Sequence, residues 1–509
     1  MPVFAAVDIG ANSVRLKIAR LVRRRLKTLE EDREVTRLGD AVFHSGMLAP
    51  QAMAQTIGVL QRFHRAAQRH GADAVRVVAT SALRDARNGA TFLEWARAAT
   101  GWRVEIISGL DEARLIHLGI LSSGMRLPAG PVLLMDLGGG SCELTVSRKG
   151  HIRETVSLPI GAVRLTREFL RHDPPKRYEA ERMRGFIAEE VARVTEKIAS
   201  SRVRLVLATS GTAATLATHL AQTKGKLKGR NVPQKSVVKL AARLARLDQQ
   251  ERERLPGIGP NRAQIIIAGA TVFAELMQRC DLRSFRYSPL GLRDGVLAEM
   301  AASSDQSTRS RKQIESDRWD ALLAAGRRYD LDMEHALQVR ALTMRLFREL
   351  RSMHRLPPDY AEWLSAAAML HEVGNYVNRT GRHRHAHYII AHSEIFGYTK
   401  AQRQVIAAIA RYLGKSRPGS GDQALKPLNA SDRALVPKAV ALIRLAAALN
   451  QGRRKAVSGL RARVKNGRVV LKLAHRPQTG ADLEVWALEK ERGYFREVFG
   501  RELAAKLSS

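Results

Sequence analysis

The segment from Pro131 to Glu143, Pro-Val-Leu-Leu-Met-Asp-Leu-Gly-Gly-Gly-Ser-Cys-Glu, constrains the fold more than any other part of the chain. The apolar run 132–135 predicts a buried strand that ends at Asp136, and a second apolar run begins at Leu144. Three glycines between two strands allow a tight turn whose backbone N–H groups bind anionic oxygens, because no side chain blocks a phosphate. The alternative is a Gly-rich hairpin whose acids are merely solvated.

A second segment repeats this pattern near the start of the chain. Residues 3–7 predict another short strand, which is followed by Asp8-Ile-Gly-Ala-Asn-Ser13 and by a new apolar run at 14–19. Strand, acid, glycine turn and strand therefore occur twice, about one domain apart. This repetition favours a duplicated fold that holds a phosphate chain from both sides.

Length and composition indicate an ordinary globular chain with several domains. The sequence has 509 residues, of which 45% are hydrophobic and 26% charged. Two cysteines, Cys142 and Cys280, exclude a disulfide framework and a cysteine-rich zinc site. No apolar run reaches the length of a membrane span, and Met1-Pro2 leads directly into a strand without a signal-peptide pattern. We therefore expect a cytoplasmic protein without a membrane span.

The net charge is the most informative property of the composition. Lys and Arg number 85 against 49 Asp and Glu, which gives a formal charge of +36. This excess favours a polyanionic partner, and nucleic acid, an anionic membrane and polyphosphate all qualify. Aromatic residues make up only 5% of the chain, and no basic stretch carries interleaved stacking rings, so we expect no specific nucleic acid partner. A basic surface typical of an Arg-rich organism is the alternative.

Alternation of strand and helix patterns predicts an α/β fold in the first 300 residues. The expected helices are 51–70, 90–99, 112–120 and 178–200, and the expected strands include 74–78, 103–107 and 203–207. Arg84 follows the strand 74–78 at the sheet edge where α/β proteins place ligands, so it is a candidate phosphate ligand. An exposed loop arginine is the alternative. Ser108 and Asp111 predict a helix cap that places Glu112 in a first helical turn.

The remaining third of the chain has a different pattern. Residues 303–317 are polar and predict a linker or an exposed helix start. Residues beyond them, up to about 450, are helical by spacing, and short β runs follow from Val457 to Lys472. The histidine-rich run from Arg382 to His387 favours polyanion contact or a helix start over a metal site, because its interleaved arginines repel a cation.

Several motifs together resemble one known family. The pair Asp8-x-Gly-x-Asn-Ser and Asp136-Leu-Gly-Gly-Gly-Ser-x-Glu143 is similar to the two phosphate loops of the acetate kinase/Hsp70/actin superfamily. The second loop resembles that of the exopolyphosphatase/guanosine pentaphosphate phosphohydrolase (Ppx/GppA) family. Further matching segments are Ala79-Thr-Ser-Ala-Leu-Arg84, Ile107-Ser-Gly-Leu-Asp-Glu112-Ala-Arg114, Ala208-Thr-Ser-Gly-Thr212 and Gly291-Leu-Arg-Asp-Gly295.

The resemblance implies the fold class and the domain organisation. It implies two actin-like (Hsp70-like) α/β domains, followed by an all-α domain of HD type and a small α+β terminal domain. The expected boundaries are 1–125, 126–302, 310–455 and 456–509. In the HD-like region His335, Leu370-His371-Glu372 and Asn450 are similar to the frame of HD metal phosphohydrolases. Glu372 and Asn450 replace two aspartates of that frame, which argues against a competent metal centre.

The resemblance also implies roles for individual residues. Glu112 matches the proposed base that activates water, and phosphoryl transfer needs such an oriented nucleophile. Asp8, Asp136 and Glu143 would bind Mg²⁺ or Mn²⁺. The remaining candidates bind substrate phosphate: Asn12, Ser13, Arg84, Gly138, Gly139, Gly140, Ser141 and Arg262.

The function expected from this resemblance is exopolyphosphatase activity, the Mg²⁺-assisted removal of terminal orthophosphate from inorganic polyphosphate. The nearest alternative is guanosine pentaphosphate (pppGpp) 5′-phosphohydrolase, which performs the same chemistry on a nucleotide. A regulator that binds polyphosphate or a nucleotide without turnover is a third hypothesis. The sequence leaves open the preferred chain length, the preferred metal and whether the chain forms a homodimer.

Overall fold

The computed structural model describes residues 1–23, 25–125, 127–224, 231–304, 309–393, 395, 397–414, 416–419, 421–465, 467–475 and 480–508. The chain divides into two compact units, Met1–Asp317 and Arg318–Ser509. The first unit contains two α/β sheets, and the second contains a helical layer with a small terminal sheet.

The first sheet has the strand order β3-β2-β1-β4-β5. Strand β1 pairs in antiparallel fashion with β2 and in parallel fashion with β4. Its residues are almost entirely buried, as expected for a strand covered on both faces. The strands are β1 (Val3–Ile9), β2 (Ser13–Val22), β3 (Arg25–Val35), β4 (Ala74–Ala79) and β5 (Val104–Ile106).

The second sheet repeats the first in strand order and direction. Its order is β10-β11-β9-β6-β7-β8, with β6 antiparallel to β7 and parallel to β9. The run β8-β7-β6-β9-β11 therefore matches β3-β2-β1-β4-β5, as the repeated motif predicts. The strands are β6 (Val132–Leu137), β7 (Cys142–Arg148), β8 (His151–Leu158), β9 (Leu205–Thr209), β10 (Asn231–Pro233) and β11 (Ser284–Tyr287).

Helices cover both sheets of the first unit. They are α1 (Gly39–Ser45), α2 (Pro50–Arg69), α3 (Ser81–Asp85), α4 (Gly89–Thr100), α5 (Gly109–Ser122), α6 (Ala162–Phe169), α7 (Arg177–Ser200), α8 (Ser210–Lys224), α9 (Gln234–Leu244), α10 (Gln249–Glu253), α11 (Pro260–Ala263), α12 (Ile266–Arg279) and α13 (Leu292–Ser304). Helices α5 and α13 cross with their backbones in contact, since a Cβ atom at Gly119 would lie 2.7 Å from the Gly295 nitrogen.

Helix α14 (Arg309–Arg328) continues from the first unit into the second. The second unit then contains α15 (Met333–Glu349), α16 (Arg351–His354), α17 (Asp359–Leu370), a 3₁₀ turn (Val373–Tyr376), α18 (Arg382–His392), α19 (Lys400–Arg411) and α20 (Ala430–Ala448). A three-stranded sheet ends it, ordered β12 (Val457–Lys465), β13 (Arg468–His475) and β14 (Glu502–Ser508), with α21 (Asp482–Phe499) between β13 and β14.

The α/β class with a helical region and a small terminal β layer is confirmed. The polar stretch 303–317 forms the start of α14 from Arg309 onward, while 305–308 lie outside the described residues. The histidine-rich run opens α18, so it is a helix start. Within the described ranges, no helix combines the length and the apolar character needed to cross a membrane.

Candidate active site

Two hairpins of identical geometry form one wall of the candidate site. The Gly10 N–H donates to the Ser13 carbonyl at 3.1 Å, and the Gly138 N–H donates to the Ser141 carbonyl at 2.9 Å. The strands beside the two turns differ in charge. In the first hairpin Asp8 lies opposite Arg15, whereas in the second Asp136 lies opposite Glu143. The duplicated turn therefore carries an acid–base pair in one half of the fold and an acid–acid pair in the other.

Neighbouring segments bind the carbonyl groups of both turns. In the first turn, the N–H groups of Arg37 and Gly39 donate to the carbonyls of Asn12 and Ala11. In the second, the first residues of α6 donate to the carbonyls of Gly138 and Gly139. The backbone of both turns lines a shared cavity. Peptide groups whose carbonyls are already bonded can offer their N–H groups to an anion.

Glycine is required where these turns approach one another. A Cβ atom at Gly139 would lie 2.8 Å from the Ala11 Cβ, which is closer than packed carbon atoms come. At Gly140 it would overlap the Ser81 side chain, and at Gly161 it would overlap the backbone of the glycine turn. The Gly-Gly-Gly sequence is thus explained by packing between the two halves of the fold as well as by access for an anion.

Helix α5 brings a third carboxylate to the second hairpin. Ser108 caps this helix by accepting a hydrogen bond from the Asp111 N–H at 3.1 Å, as the sequence predicts. Glu112 in the first turn is 94% buried. One carboxylate oxygen each from Glu112, Asp136 and Glu143 lies within 4.8 Å of the other two. Asp8 lines the same cavity but does not belong to this group of three.

Burial raises the pKa of all three carboxyl groups, and repulsion from neighbouring carboxylates adds to this at Glu112 and Glu143. Burial, followed by the charges of Glu143 and Asp136, raises the pKa of Glu112 well above its ordinary value. Burial, followed by the charge of Asp136, raises the pKa of Glu143 to about 7. Burial also raises the pKa of Asp136, although a hydrogen bond from Thr209 opposes this shift. Three close acids with raised pKa values are typical of a functional site.

The chemistry of this group fits a hard divalent cation. Glu112 Oε2 and Glu143 Oε2 are buried and accept no hydrogen bond from the described residues. A buried carboxylate oxygen without a partner is costly, and Mg²⁺ prefers such oxygens as ligands. Asp136 and Glu143 are therefore suited to hold Mg²⁺, and the Glu112 carboxylate lies beside them. The sequence-predicted ligand Asp8 lies opposite Arg15, whose charge opposes the rise in its pKa.

We expect Glu143→Gln to stabilise the metal-free protein at alkaline pH. Glu143 has a folded-state pKa of about 7 against an ordinary 4.5. The folded protein therefore binds this proton more tightly than the unfolded chain. Consequently, ionisation lowers the free energy of unfolding as the pH rises from 4.5 to about 7, by up to roughly 3 kcal/mol. Glutamine keeps the group neutral, so the Tm in EDTA should increase at pH 8 and change little at pH 5.

Glu154→Gln is the matched control for this measurement. Glu154 lies on β8, as does Ser157, the residue opposite Glu143. The Glu154 side chain is half exposed, and its carboxylate oxygen lies 3.5 Å from Lys197 Nζ. Its substitution should leave the Tm nearly unchanged at both pH values, because surface pairs contribute little. An equal loss of Tm at pH 5 and pH 8 in Glu143→Gln would contradict the expected repulsion.

Four arginines lie in the same cavity, whose volume is about 460 Å³. They come from β2, β3, α11 and the start of α13, namely Arg15, Arg33, Arg262 and Arg293. Burial, followed by the charges of Arg33 and Arg15, lowers the pKa of Arg262 to about 9. Burial, followed by Arg15 and Arg293, lowers the pKa of Arg33 to about 10. Burial, followed by the charge of Arg15, also lowers the pKa of Arg293, so guanidinium groups in this cavity repel one another.

Arg262 reaches this cluster because position 211 has no side chain. Its guanidinium occupies the space that a Cβ atom on Gly211 would fill. Arg262 itself is 91% buried. Ser210, just before Gly211, has a φ of 86°, a left-handed conformation that non-glycine residues rarely adopt. Strain of this kind is concentrated at functional sites, and here it accompanies a buried cation.

The structure gathers most of the sequence-predicted phosphate ligands in this cavity. Its lining includes Asn12, Ser13, Gly138, Gly139, Ser141 and Arg262. Gly140 packs against Ser81 and does not line the cavity. Arg84 donates to the Ile107 carbonyl at 2.8 Å, and its charge opposes the raised pKa values of Glu112 and Glu143. Arg84 therefore lies beside the acidic group, outside the cavity lining.

Sequence reasoning missed Arg15, Arg33 and Arg293. Arg15 could have been found by extending the first hairpin by two residues, because this register places it opposite Asp8. Arg293 lies within the Gly291–Gly295 motif, but its charge was not considered there. No signal pointed to Arg33, since the polar segment around it did not predict the strand β3.

Comparison with known proteins identifies the family. The model of the Ppx/GppA phosphatase family matches residues 17–304, and that of Ppx/GppA phosphatase domain III matches residues 318–492. The first match alone spans more than half of the chain. The chain belongs to the Ppx/GppA phosphatase family. The predicted family is confirmed, and the second match places residues 318–492 in domain III of the family, whereas the HD-type resemblance stays a prediction.

Solved structures of this family resemble about 60% of the chain. A Ppx/GppA family member from Aquifex aeolicus is 30% identical over 60% of this chain and 99% of its own, with a TM-score of 0.51. An exopolyphosphatase from Cytophaga hutchinsonii is 25% identical over 59% of this chain and 98% of its own, with a TM-score of 0.55. An exopolyphosphatase-like protein is 27% identical over 59% and 97%, with a TM-score of 0.54.

Membership of the Ppx/GppA family establishes the reaction class and the fold. The chain is a phosphoanhydride hydrolase with actin-like α/β domains. Anhydride hydrolysis requires an activated water and compensation of phosphate charge. The group of three acids and the cluster of four arginines lie in and beside a cavity that Asp8, Glu31, Asp32 and Asp294 also line.

Proposed function

We propose that this phosphatase is an exopolyphosphatase that removes terminal orthophosphate from inorganic polyphosphate. The observation that carries the proposal is the presence of four arginines and three close carboxylates in and beside one cavity. A polymer of phosphates can use both groups at once, with its end at the acids and its inner phosphates at the arginines. One solved relative is named an exopolyphosphatase and another an exopolyphosphatase-like protein, and both names support the same substrate class.

Glu112 is the proposed base in this reaction. It accepts a proton from a water whose oxygen attacks the terminal phosphorus, while the bond to the bridging oxygen breaks and the shortened chain leaves. Its raised pKa, caused first by burial, makes it a better proton acceptor than an ordinary glutamate. The Ser108 cap fixes the start of α5, which holds the carboxylate beside Asp136 and Glu143.

The two turns and Arg84 bind the terminal phosphate in this proposal. Backbone N–H groups at Asn12, Ser13 and Gly139–Ser141 offer donors to its oxygens, while the Gly138 N–H closes the turn, and Arg84 adds a positive charge at the acidic group. Mg²⁺ or Mn²⁺ would be held by Asp136 and Glu143, with Asp8 as the third candidate. When bound there, it would compensate the negative charge that develops in phosphoryl transfer. Glu143 is held for this role by the Ser157 hydroxyl, which donates at 2.7 Å.

The four arginines bind the inner phosphates of the polymer. Arg262 and Arg33 have lowered pKa values because each is buried near other guanidinium groups, and a polyanion relieves this repulsion. Guanidinium groups also match phosphate geometry by forming paired hydrogen bonds. Guanosine pentaphosphate presents fewer phosphates and a base, so it would engage fewer of these groups.

The direct test measures phosphate release by the purified protein from long polyphosphate, guanosine pentaphosphate and ATP in parallel. The proposal expects the highest kcat/KM with polyphosphate. A higher kcat/KM with guanosine pentaphosphate would favour the nucleotide phosphohydrolase, and tight polyphosphate binding without turnover would favour the binding regulator.

Binding of long polyphosphate should depend steeply on salt. The chain carries a formal charge of +36, and each phosphate that pairs with a cationic side chain releases counterions. The apparent affinity for long polyphosphate should therefore fall much more between low and moderate salt than that for guanosine pentaphosphate. The measurement is a salt titration of both ligands, repeated with polyphosphates of decreasing length. A shallow slope that is independent of chain length would contradict the polymer assignment.

A further inference from the structure

A second group of metal-type ligands lies in the other unit. Among the described residues, two sets of His, Cys, Asp or Glu side chains offer ligand atoms within 4.8 Å of one another. One is the acidic group of the active site, and the other consists of His335, His371 and Glu372. His335 lies in the first turn of α15, and the other two follow the end of α17. These residues occupy the positions similar to the HD-type frame, in which Glu372 and Asn450 replace two aspartates and argue against a metal centre.

A guanidinium already neutralises the carboxylate of this group. Arg453 Nη2 donates to Glu372 Oε1 at 2.6 Å, and Arg453 Nη1 donates to Asp332 Oδ2 at 2.8 Å. Arg382 adds a second positive charge 3.8 Å from the same Glu372 oxygen. The Glu372 side chain is 9% exposed, so these charges act across a poorly solvated space. A divalent cation here would meet two guanidinium groups.

Hydrogen bonds give His335 the wrong tautomer for a metal ligand. Asn450 Oδ1 accepts from the Lys455 N–H at 3.3 Å, so its amide nitrogen faces His335 Nδ1 at 2.9 Å. An amide nitrogen only donates, and His335 Nδ1 therefore accepts, which leaves the proton on its other ring nitrogen. A metal-bound histidine instead donates its second N–H outward, commonly to a carboxylate. Asparagine in place of aspartate at 450 thus disfavours ligation by His335.

His371 differs from His335 in this respect. Its Nδ1 lies 2.8 Å from the Ala368 carbonyl, which only accepts, so Nδ1 carries the proton and Nε2 keeps its lone pair. His371 therefore has the tautomer that a metal ligand needs, and the carboxylate of Glu372 is also a group that binds metals. Two features oppose metal binding: the guanidinium of Arg453 and the amide of Asn450.

The chain is bent to bring Arg453 to this position. Arg453 and Lys455 both have left-handed backbones, with φ values of 56° and 51°. Non-glycine residues adopt this region at an energetic cost, and such conformations persist where the surroundings fix them. The contacts that fix this turn are those of Arg453 with Glu372 and Asp332, and of Lys455 with Asn450 and Glu334.

We infer that Arg453 is a resident cation that takes the place of a divalent metal in the His335–His371–Glu372 group, and that Asn450 completes this exclusion. The group is a metal-free junction that joins the start of α15, the end of α17 and the turn after α20. Two substitutions should reverse this exclusion of the metal. Removing the guanidinium and restoring a carboxylate at 450 converts the junction into a site for a divalent metal.

The test is a zinc titration of the full-length chain followed by calorimetry. The wild type should show no saturable site that depends on His371. The double variant Arg453→Ser/Asn450→Asp should bind about one Zn²⁺ per chain, at least tenfold more tightly than the wild type, and Zn²⁺ should raise its Tm. Adding His371→Ala to the double variant should abolish both effects. The matched control is Arg454→Ser, which removes the neighbouring positive charge and should gain no zinc.

Each remaining outcome also decides the inference. If the double variant folds in Zn²⁺ but not in EDTA, as judged by circular dichroism, the conversion is supported. Failure to fold in both conditions, or a folded double variant without a His371-dependent zinc site, overturns it. A wild-type chain that binds one zinc and loses it on His371→Ala overturns the assignment of Arg453 as the resident cation.

Discussion

Glu112→Gln is expected to reduce kcat on polyphosphate by roughly 10²-fold or more, the range found when a general base is lost. Glutamine keeps the size of the side chain and its place in α5, but it cannot accept the proton of the attacking water. The effect should be on kcat, with KM for polyphosphate changed less than about threefold, because the turns and arginines that bind phosphate are untouched. Steady-state phosphate release over a range of polymer concentrations separates the two constants.

Asp111→Asn is the matched control for this variant. Asp111 precedes Glu112 in the same first turn and accepts a hydrogen bond from the Ser108 hydroxyl at 3.0 Å. Its substitution removes an equal charge from the helix N-terminus, where acids are generally stabilising. If both variants lose the same activity, Glu112 acts only through the helix start, and its assignment as the base fails.

The second large effect concerns the metal. Asp136→Asn should raise the Mg²⁺ concentration needed for half-maximal activity by at least about tenfold, since even outer-shell partners of a metal are worth this much. Exhaustive chelation should abolish turnover in the wild type. Asp136 is expected to be critical because its oxygen lies within 4.8 Å of those of Glu112 and Glu143. Activity measured against free Mg²⁺, with Mn²⁺ in parallel, gives the shift.

Asp8→Asn tests whether the two hairpins are equivalent. Asp8 occupies the position in the first hairpin that Asp136 occupies in the second, but it lies opposite Arg15. Its substitution should shift the Mg²⁺ requirement less than Asp136→Asn does. Equal shifts would show that both hairpins contribute ligands, and full activity of the wild type in EDTA would exclude the metal altogether.

Strong local patterns made much of the fold predictable from the sequence. Acid–glycine turns between apolar runs predicted both central hairpins, and helical spacing predicted α2, α4 and α7 to within a residue or two. The strands β3 and β8 were not predicted. Their residues are mostly exposed or half-buried and many are charged, as in Arg25–Val35, so these outer strands resemble a loop in a single sequence.

The residues of the candidate site were also only partly predictable from the sequence. Asp136 and Glu143 belong to one local motif, whereas Glu112 was predicted only from the family resemblance, because its own segment is explained by a helix start. The arginine cluster joins four elements that are distant along the chain. Strand register and the missing side chain at Gly211 bring these elements together, and neither property is visible in the residue type alone. The Arg453–Glu372 pair escaped prediction for the same reason.

The unequal charges of the two hairpins give the cavity a polarity. Asp136 lines the cavity with Glu143 beside it, whereas in the first hairpin the guanidinium of Arg15 takes the position of Glu143, near Arg33 and Arg262. On the proposed function, a polyphosphate chain that binds along this charge gradient has one productive orientation. Cleavage of an internal bond would require further phosphates on the side of the acids away from these arginines, where the proposal places no compensating cation. On this proposal, hydrolysis is confined to the terminal phosphate. The difference in charge between the two halves of the duplicated fold is what imposes this restriction.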